Sequence, residues 1–159
     1  MLRHILDDID RRILEALQQD GRLSNLALAE RVNLSQSACL RRVRRLEADG
    51  FIDGYQAKLN WRKIGLGFTV FLSIDLERHQ AKDLAKFRRI VAGIPEVIAC
   101  HITAGECDFM LQVAVPGLNE YRRFVLEKLL SIPGVKNSRS NIVLDAVKEL
   151  TPLPLNHIK

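Results

Sequence analysis

The sequence predicts an α+β protein in two parts, a small bundle of three helices followed by a domain in which strands and helices alternate. Up to about residue 50, apolar residues recur every three or four positions, which is the period of an amphipathic helix. From Phe68 they recur at every second position, which is the period of a half-buried strand. The 159 residues are enough for two small domains.

The composition is that of a globular protein, with 47% hydrophobic and 27% charged residues. The net charge of +5 is spread over both parts, so by itself it gives only weak support for a polyanionic partner. Three cysteines without a paired spacing argue against a disulfide framework and favour a reducing compartment. No apolar run approaches the roughly 18 residues of a membrane span. We therefore expect a cytoplasmic protein without a membrane partner.

The first helix is predicted over residues 7–19. Three aspartates between Asp7 and Asp10 fall in its first turn, where the helix dipole favours acidic side chains. Asp20-Gly21 is a typical end for such a helix. Its apolar stripe is expected to consist of Ile9, Ile13, Ala16 and Leu17.

Two more helices are predicted between Ser24 and Gly50, joined by a tight turn. Ser24 and Ser35 are placed to cap them, and Asn33 tolerates the left-handed conformation that ends a helix. The small residues Ala29 and Cys39 let the helices cross closely, as in a helix-turn-helix. The residues expected to be buried are Leu26, Ala29, Val32, Cys39, Val43 and Leu46.

The third helix, residues 36–49, is strongly basic on its outward face. Counting 100° per residue from its apolar stripe places Ser37, Arg41 and Arg44 near the opposite pole. A run of charge is more often only a solvated face, but here it coincides with the spacing of a helix-turn-helix. We therefore predict a recognition helix for the major groove of double-stranded DNA. The candidate DNA-binding residues are Ser35, Gln36, Ser37, Arg41, Arg42, Arg44 and Arg45.

Different roles are expected within this set. Base edges are expected to be contacted by Gln36, Ser37 and Arg41. Phosphates are expected to be contacted by Arg44 and Arg45. Arg42 lies nearer the apolar stripe, so two roles are open for it: a phosphate contact, or an interaction that braces the domain.

The second part of the chain predicts four strands and two helices. Strands are expected over residues 68–76, 97–103, 108–115 and 141–147, and helices over residues 80–92 and 118–130. The middle strands form a hairpin with residues 104–107 as its loop. Similar Ile-Pro-x-Val segments, 94–97 and 132–135, each join a helix to the next strand and indicate two matching βαβ halves. This order is the ferredoxin-like plan.

The second helix of this part is expected to turn Leu118, Tyr121, Val125 and Leu129 toward the sheet. The predicted domain organisation is a helix-turn-helix over residues 1–53, a linker or wing strand over 54–67, a ferredoxin-like domain over 68–150, and a tail over 151–159. Two prolines in the tail, Pro152 and Pro154, favour an extended or loose arm.

Several short patterns recur in order along the chain. The first part contains Ile9-Asp10-x-x-Ile13-Leu14, Leu28-Ala29-x-x-Val32, Leu34-Ser35 and Arg42-Val43-x-x-Leu46-Glu47-x-x-Gly50-x-Ile52. The second part contains Gly105-Glu106-Cys107-Asp108-Phe109, Leu130-x-x-Pro133-Gly134-Val135 and Val143-Leu144-x-x-Val147-Lys148. Together they cover nearly the whole chain and resemble the leucine-responsive regulator/asparagine regulator (Lrp/AsnC) family of transcription factors.

The resemblance implies a winged helix-turn-helix joined to a ferredoxin-like domain that binds an amino-acid effector and needs no other cofactor. It also implies a transcriptional regulator rather than an enzyme, assembled as a dimer and further into an octamer. Cys107 replaces a common aromatic residue and two serines replace threonines, which leaves the identity of the effector open. The effector-binding residues carried over from the family are Gly105, Glu106, Cys107, Asp108, Ser138 and Ser140.

The hairpin also suits a free amino acid on chemical grounds. Gly105 can bring bare N–H groups near a carboxylate, and Glu106 or Asp108 can accept hydrogen bonds from an ammonium. Asp108 has a second interpretation, a turn residue bonded to the local backbone, and the residues alone favour it.

Other functions fit the sequence less well. His101, Cys107 and Asp108 lack a further ligand at metal-binding spacing, so neither a metal site nor a Cys–His nucleophile is predicted. The alternative of an enzyme that converts an amino acid is disfavoured, because the sequence shows no catalytic constellation. An architectural, nucleoid-type DNA-binding protein without an effector is compatible with the same residues.

Overall fold

The computed structural model describes residues 6–77, 80–149 and 151–158. The chain forms two compact units. The first comprises the residues up to Lys58 together with the segment from Lys148, and the second comprises Leu59–Val147. No helix in the described part of the chain is long and apolar enough to cross a membrane.

The first unit consists of α1 (Asp8–Gln19), α2 (Asn25–Val32) and α3 (Gln36–Ala48). Its core is made by all three helices through Ile13, Ala16, Leu28, Ala29, Val32, Cys39 and Leu46. The predicted burial of Leu26 is wrong, because this side chain is 50% exposed and Leu28 is buried instead. At 100° per residue, Leu26 lies more than 90° away from the direction shared by Leu28, Ala29 and Val32.

Hydrogen bonds at the helix ends form the tight turn between α2 and α3 as predicted. Ser24 Oγ accepts the N–H of Ala27 at 3.1 Å, and Ser35 Oγ accepts the N–H of Ala38 at 3.3 Å. Each hydroxyl thus satisfies a donor that the helix itself leaves unpaired. Asn33 ends α2 in the left-handed conformation, with φ of 56°.

The C-terminal segment is held against α1. The N–H of Leu153 donates to Gln18 Oε1 at 2.6 Å, and Gln18 Nε2 donates to the carbonyl of Leu153 at 3.3 Å. This pair of hydrogen bonds ties the tail to the first unit, which the sequence did not predict. Residues 53–67 contain no strand in this chain, only irregular chain and a turn over residues 61–65, and the linker and the wing strand both stay predictions for this segment.

The second unit is a four-stranded antiparallel sheet covered on one face by helices. In chain order its elements are β1 (Phe68–Leu76), α4 (Ala81–Ala92), β2 (Val97–Ile102), β3 (Phe109–Val115), α5 (Leu118–Arg123), a π-helical continuation of α5 (Phe124–Leu129) and β4 (Val135–Ile142). The strand order β2-β3-β1-β4 confirms the ferredoxin-like plan. The helix-covered face is buried through Val70, Leu72, Ile74, Phe87, Phe109, Leu111, Val113, Phe124 and Leu129.

The last predicted strand, residues 141–147, is wrong in position. The observed β4 ends at Ile142, and the apolar Leu144 and Val147 beyond it are 94% and 98% exposed. β4 lies at the edge of the sheet, where a polar sequence is tolerated. Pairing with β1, rather than burial of apolar side chains, defines this strand. Leu118 was also wrongly expected to face the sheet. It is exposed, because the sheet covers this helix only from Tyr121 onward.

Asn33 provides a test of the helix-turn-helix geometry. Replacing Asn33 with Ala should lower the free energy of unfolding by about 1 kcal/mol, since alanine pays a steric cost in the left-handed conformation. Urea denaturation followed by circular dichroism measures this loss. Asn33→Gly is the control and should be close to wild type, because glycine adopts this conformation freely. Equal losses for both variants would contradict the assignment.

Candidate functional sites

The outward face of α3 carries a row of exposed polar side chains. Ser37, Arg41 and Arg44 follow one another at spacings of four and three, so they lie on one side of the helix. Arg41 and Arg44 form no ion pair with any other residue that the structure describes. Gln36 is exposed in the first turn, and its carbonyl accepts a hydrogen bond from Asn25 Nδ2 at 2.9 Å, which fixes the start of α3 to α2. Together these residues form a surface suited to a polyanion.

Ser35 has a structural role at the beginning of this surface. Its hydroxyl caps α3 through Ala38 and lies 3.4 Å from the hydroxyl of Ser37. Of the candidate DNA-binding residues, Ser35 is therefore the one whose side chain is already used to start the helix.

The other two arginines of α3 point toward the beginning of α1. Arg42 Nη1 donates to Asp7 Oδ2 at 2.7 Å and to Asp10 Oδ1 at 2.9 Å. Arg45 Nη2 donates to Asp10 Oδ2 at 2.5 Å. Of the two roles that were open for Arg42, the structure has the brace. Arg45, predicted to contact phosphate, is engaged in the same way.

Asp10 is the acceptor that these arginines share, and it is fully buried. Its carboxylate also accepts the N–H of Asp7 at 3.2 Å, while Asp7 Oδ1 accepts the N–H of Asp10 at 2.8 Å. This reciprocal pair is a capping box at the start of α1. Burying a lone carboxylate costs several kcal/mol, so the two guanidinium groups offset the cost of placing this charge in the interior.

Sequence reasoning treated Asp10 only as a favourable charge in the first turn of α1 and missed its burial. A signal was present. Asp10 lies three residues before Ile13 and seven before Leu17, so it occupies a position on the apolar side of the helix. A carboxylate at such a position predicts a buried cationic partner.

A cleft of about 430 Å³ opens on the face of the sheet that the helices leave uncovered. Ser73 of β1 lies opposite Met110 of β3 and Arg139 of β4, and residues directly opposite one another share a face of the sheet. The hairpin between β2 and β3 borders this row. The cleft is lined by Ser73, Thr103, Gly105, Glu106, Cys107, Met110, Arg139 and Asn141.

Three of the six predicted effector-binding residues, Gly105, Glu106 and Cys107, line this cleft. The structure does not bring the other three into it. The Asp108 Oδ2 atom accepts the N–H of Leu76 at 2.7 Å, a bond to the backbone of β1 rather than to the local turn that the second interpretation expected.

Ser138 and Ser140 lie on the helix-covered face, in register with the buried Ile74 and Leu72. The hydroxyl of Ser140 is 2.6 Å from that of Tyr121. Burial raises the pKa of the Tyr121 phenol, so this group is neutral at physiological pH and can take either side of that hydrogen bond.

Sequence reasoning missed the basic residue that lines the cleft, Arg139. Arg139 Nη2 donates to the carbonyl of Glu106 at 3.1 Å, which links β4 to the hairpin. Thr103 Oγ1 donates to the carbonyl of Cys107 at 2.5 Å and holds the hairpin loop. Side chains alternate between the two faces along β4, and this alternation places Arg139 on the open face. The sequence did not show this because the strand was predicted in the wrong place, whereas it spans Val135–Ile142.

A second cleft, of about 320 Å³, lies beside α5 and contains none of the predicted site residues. Its charges are partly paired, since Lys128 Nζ donates to Glu96 Oε1 at 2.5 Å. Burial raises the pKa of Glu96, but Lys128 and the N–H of Glu96 itself together hold it below its usual value. Within residues 6–77, 80–149 and 151–158, no group of three His, Cys, Asp or Glu side chains is arranged to hold a metal ion.

Two family models match the chain. Residues 6–53 match a winged helix-turn-helix DNA-binding domain, and residues 69–153 match the Lrp/AsnC ligand binding domain. The sequence is 43% identical to the leucine-responsive regulatory protein of Escherichia coli K12 over 144 residues, which is 91% of this chain and 88% of that protein.

Solved structures show the same similarity along the whole fold. A transcriptional regulator from Neisseria meningitidis, solved as a complex with L-Met, superposes with a TM-score of 0.93 at 40% identity, over 97% of this chain and 99% of that one. An AsnC family transcriptional regulator from Agrobacterium tumefaciens gives a TM-score of 0.91 at 33% identity, over 97% and 100% of the two chains.

The ion pairs of α1 predict a pH dependence. Partial burial raises the pKa of Asp7, but the N–H of Asp10 and the guanidinium of Arg42 together hold it below its usual 3.8. A lowered pKa means that Asp7 stabilises the fold above about pH 4. This contribution is lost as the pH falls through the lowered value. Melting temperatures of wild type and Asp7→Asn should therefore differ at pH 6 and converge toward pH 2.5.

Circular dichroism melts between these pH values provide the measurement. Asp53→Asn is the control, because Asp53 is exposed and forms no ion pair within the described residues, and its curve should follow wild type. A gap between wild type and Asp7→Asn that stays constant down to pH 2.5 would contradict the role given to Asp7.

Proposed function

This chain belongs to the Lrp/AsnC family of transcriptional regulators, and we propose that it binds specific sequences of double-stranded DNA under the control of a small amino acid. The observation that carries this proposal is the exposed row on α3, whose two outward arginines have no partner within the described protein. An Arg side chain without an internal partner is free to bind phosphate or the edge of a guanine.

We assign the DNA contacts by position on α3. Gln36, Ser37 and Arg41 lie in the first two turns, the part of a recognition helix that reaches base edges. Arg44 lies one turn further on and is assigned to the phosphates. Membership of the family supports a homo-oligomer. A dimer within it would place its two α3 helices on DNA half-sites that are one helical turn apart. The octamer remains the larger assembly that we propose for it.

We place the effector in the cleft of the second unit. A free amino acid needs a cation for its carboxylate and an acceptor for its ammonium, and Arg139 and Glu106 supply these groups. The sulfur atoms of Cys107 and Met110 offer a polarizable wall for an apolar side chain. L-Met, the amino acid in the complex of the Neisseria relative, is therefore the first effector to test.

The DNA contacts lead to two opposite expectations. Arg41→Ala should weaken the binding free energy for the preferred duplex by about 1–3 kcal/mol, because a base contact is lost. The binding free energy for a random duplex should change much less. Arg44→Ala should weaken both duplexes alike and reduce the slope of log affinity against log salt by about 1, because a phosphate contact is lost. Fluorescence anisotropy at several salt concentrations measures both effects.

Arg22→Ala is the matched control, since Arg22 is exposed in the same unit but lies outside α3. Losses that do not depend on DNA sequence for both Arg41→Ala and Arg44→Ala would contradict the division of roles. Random duplex bound as tightly as the preferred one by wild type would instead favour the architectural function.

The cleft predicts a ligand-dependent stabilisation. An amino acid at 100 times its dissociation constant should raise the free energy of unfolding by about 2.7 kcal/mol, which a thermal-shift panel of amino acids detects. Arg139→Met should abolish the shift, because the ligand carboxylate loses its cation. Arg122→Met, which removes an exposed arginine of α5, should leave the shift intact. A shift that survives Arg139→Met would place the amino acid elsewhere.

A further inference from the structure

The four arginines of α3 form two pairs that point in different directions. Arg41 and Arg44 point outward, while Arg42 and Arg45 point toward α1. Members of each pair are three residues apart, so each pair occupies one side of the helix. Nothing in the composition of the cluster distinguishes the pairs, since all four side chains are the same. What divides them is the position of the acceptor on α1.

That acceptor is the carboxylate of Asp10, and both of its oxygens are used. Oδ1 accepts from Arg42 at 2.9 Å and Oδ2 accepts from Arg45 at 2.5 Å. Asp10 is fully buried, whereas the side chains of Arg42 and Arg45 are only partly exposed. Water thus reaches both guanidinium groups but not the carboxylate that they bind.

Two contacts from one buried point fix the rotation of α3 about its own axis. A turn of the helix by one residue, about 100°, would carry Arg41 toward Asp10 and Arg42 to the side of the core on which Val43 now lies. The ion pairs oppose this rotation because they would have to break. In the core, α3 contributes the buried Cys39 and Leu46 and the partly buried Val43.

We propose that Asp10 is a positioning residue for DNA recognition. It holds Arg42 and Arg45 inside the domain, so that of the four arginines only Arg41 and Arg44 meet DNA. This inference rests on the proposed DNA-binding function and adds to it a residue that touches no DNA. It also means that only two of the four charges of the arginine cluster are available to DNA.

The test compares Asp10→Asn with Asp8→Asn, which makes the same change of charge in the same turn. Asp8 is exposed, and among the described residues it pairs only with Arg11 of its own helix. The probes are a duplex selected from a random pool by the wild-type protein and a scrambled duplex of equal length. Affinities are measured for both at several salt concentrations.

Asp10→Asn should lower the ratio of specific to scrambled affinity at least tenfold, because α3 is no longer held in one orientation. Its salt slope should become steeper by about 1 to 2, since each released arginine that reaches a phosphate adds about 0.9. Asp8→Asn should match wild type in both quantities. Unfolding alone lowers the active fraction equally for both duplexes, so it leaves the ratio unchanged. A ratio and slope equal to those of Asp8→Asn overturn the proposal.

Arg45→Met tests the same proposal if Asp10→Asn does not fold. If Arg45 braces the domain, this variant lowers the affinity ratio and leaves the salt slope at the wild-type value. If Arg45 contacts phosphate instead, the slope becomes flatter by about 0.9, as for Arg44→Ala, and the proposal is overturned.

Hydrogen exchange separates this inference from the proposed function. Amides of α3 should exchange at least tenfold faster in Asp10→Asn than in Asp8→Asn, whether or not DNA is bound. If the wild-type protein binds neither duplex, the proposed function is wrong, and so is the role of Asp10 in recognition. Faster exchange in Asp10→Asn would still show that Asp10 fixes α3. Equal exchange in both variants, with DNA binding intact, overturns the positioning role alone.

Discussion

The structure of the first unit depends on one buried carboxylate. Asp10 takes part in the capping box at the start of α1 and binds Arg42 and Arg45, which divides the arginines of α3 into two pairs. The orientation of α3 that we propose follows from the same contacts. An internal charge is costly unless it is paired, and this requirement makes the interaction directional. Apolar contacts in the same core fix how closely the helices approach but are far less selective about rotation.

A second constraint operates in the sheet, where successive side chains point to opposite faces. In β4 this alternation gives neighbouring polar residues different surroundings. Ser140 bonds to Tyr121 beneath the helices, whereas Arg139 reaches the hairpin on the open face. The polar sequence of an edge strand thus serves the packing of α5 and the lining of the cleft at the same time.

The same physical rule applies to both candidate sites. A charged side chain on a helix or strand is available to bind a ligand only where the fold does not pair it with an opposite charge. On α3 this leaves Arg41 and Arg44 on the outside. In the cleft, Arg139 is held by a neutral carbonyl rather than a carboxylate, so its charge is not neutralised by that bond. A cation that is held in place but not neutralised is suited to bind an anionic ligand group.

The sequence by itself determined most of the local structure. Ser24, Asn33 and Ser35 carry their turn and cap chemistry in their side chains, and the alternation from Phe68 identifies β1 directly. Tertiary structure decided what local chemistry leaves open. Arg42 and Arg45 are brought to Asp10, which is more than 30 residues away, and β4 is defined by pairing with β1 rather than by its own residues. Periodicity reports which side of an element is apolar, but only the folded chain determines which distant group a polar side chain meets.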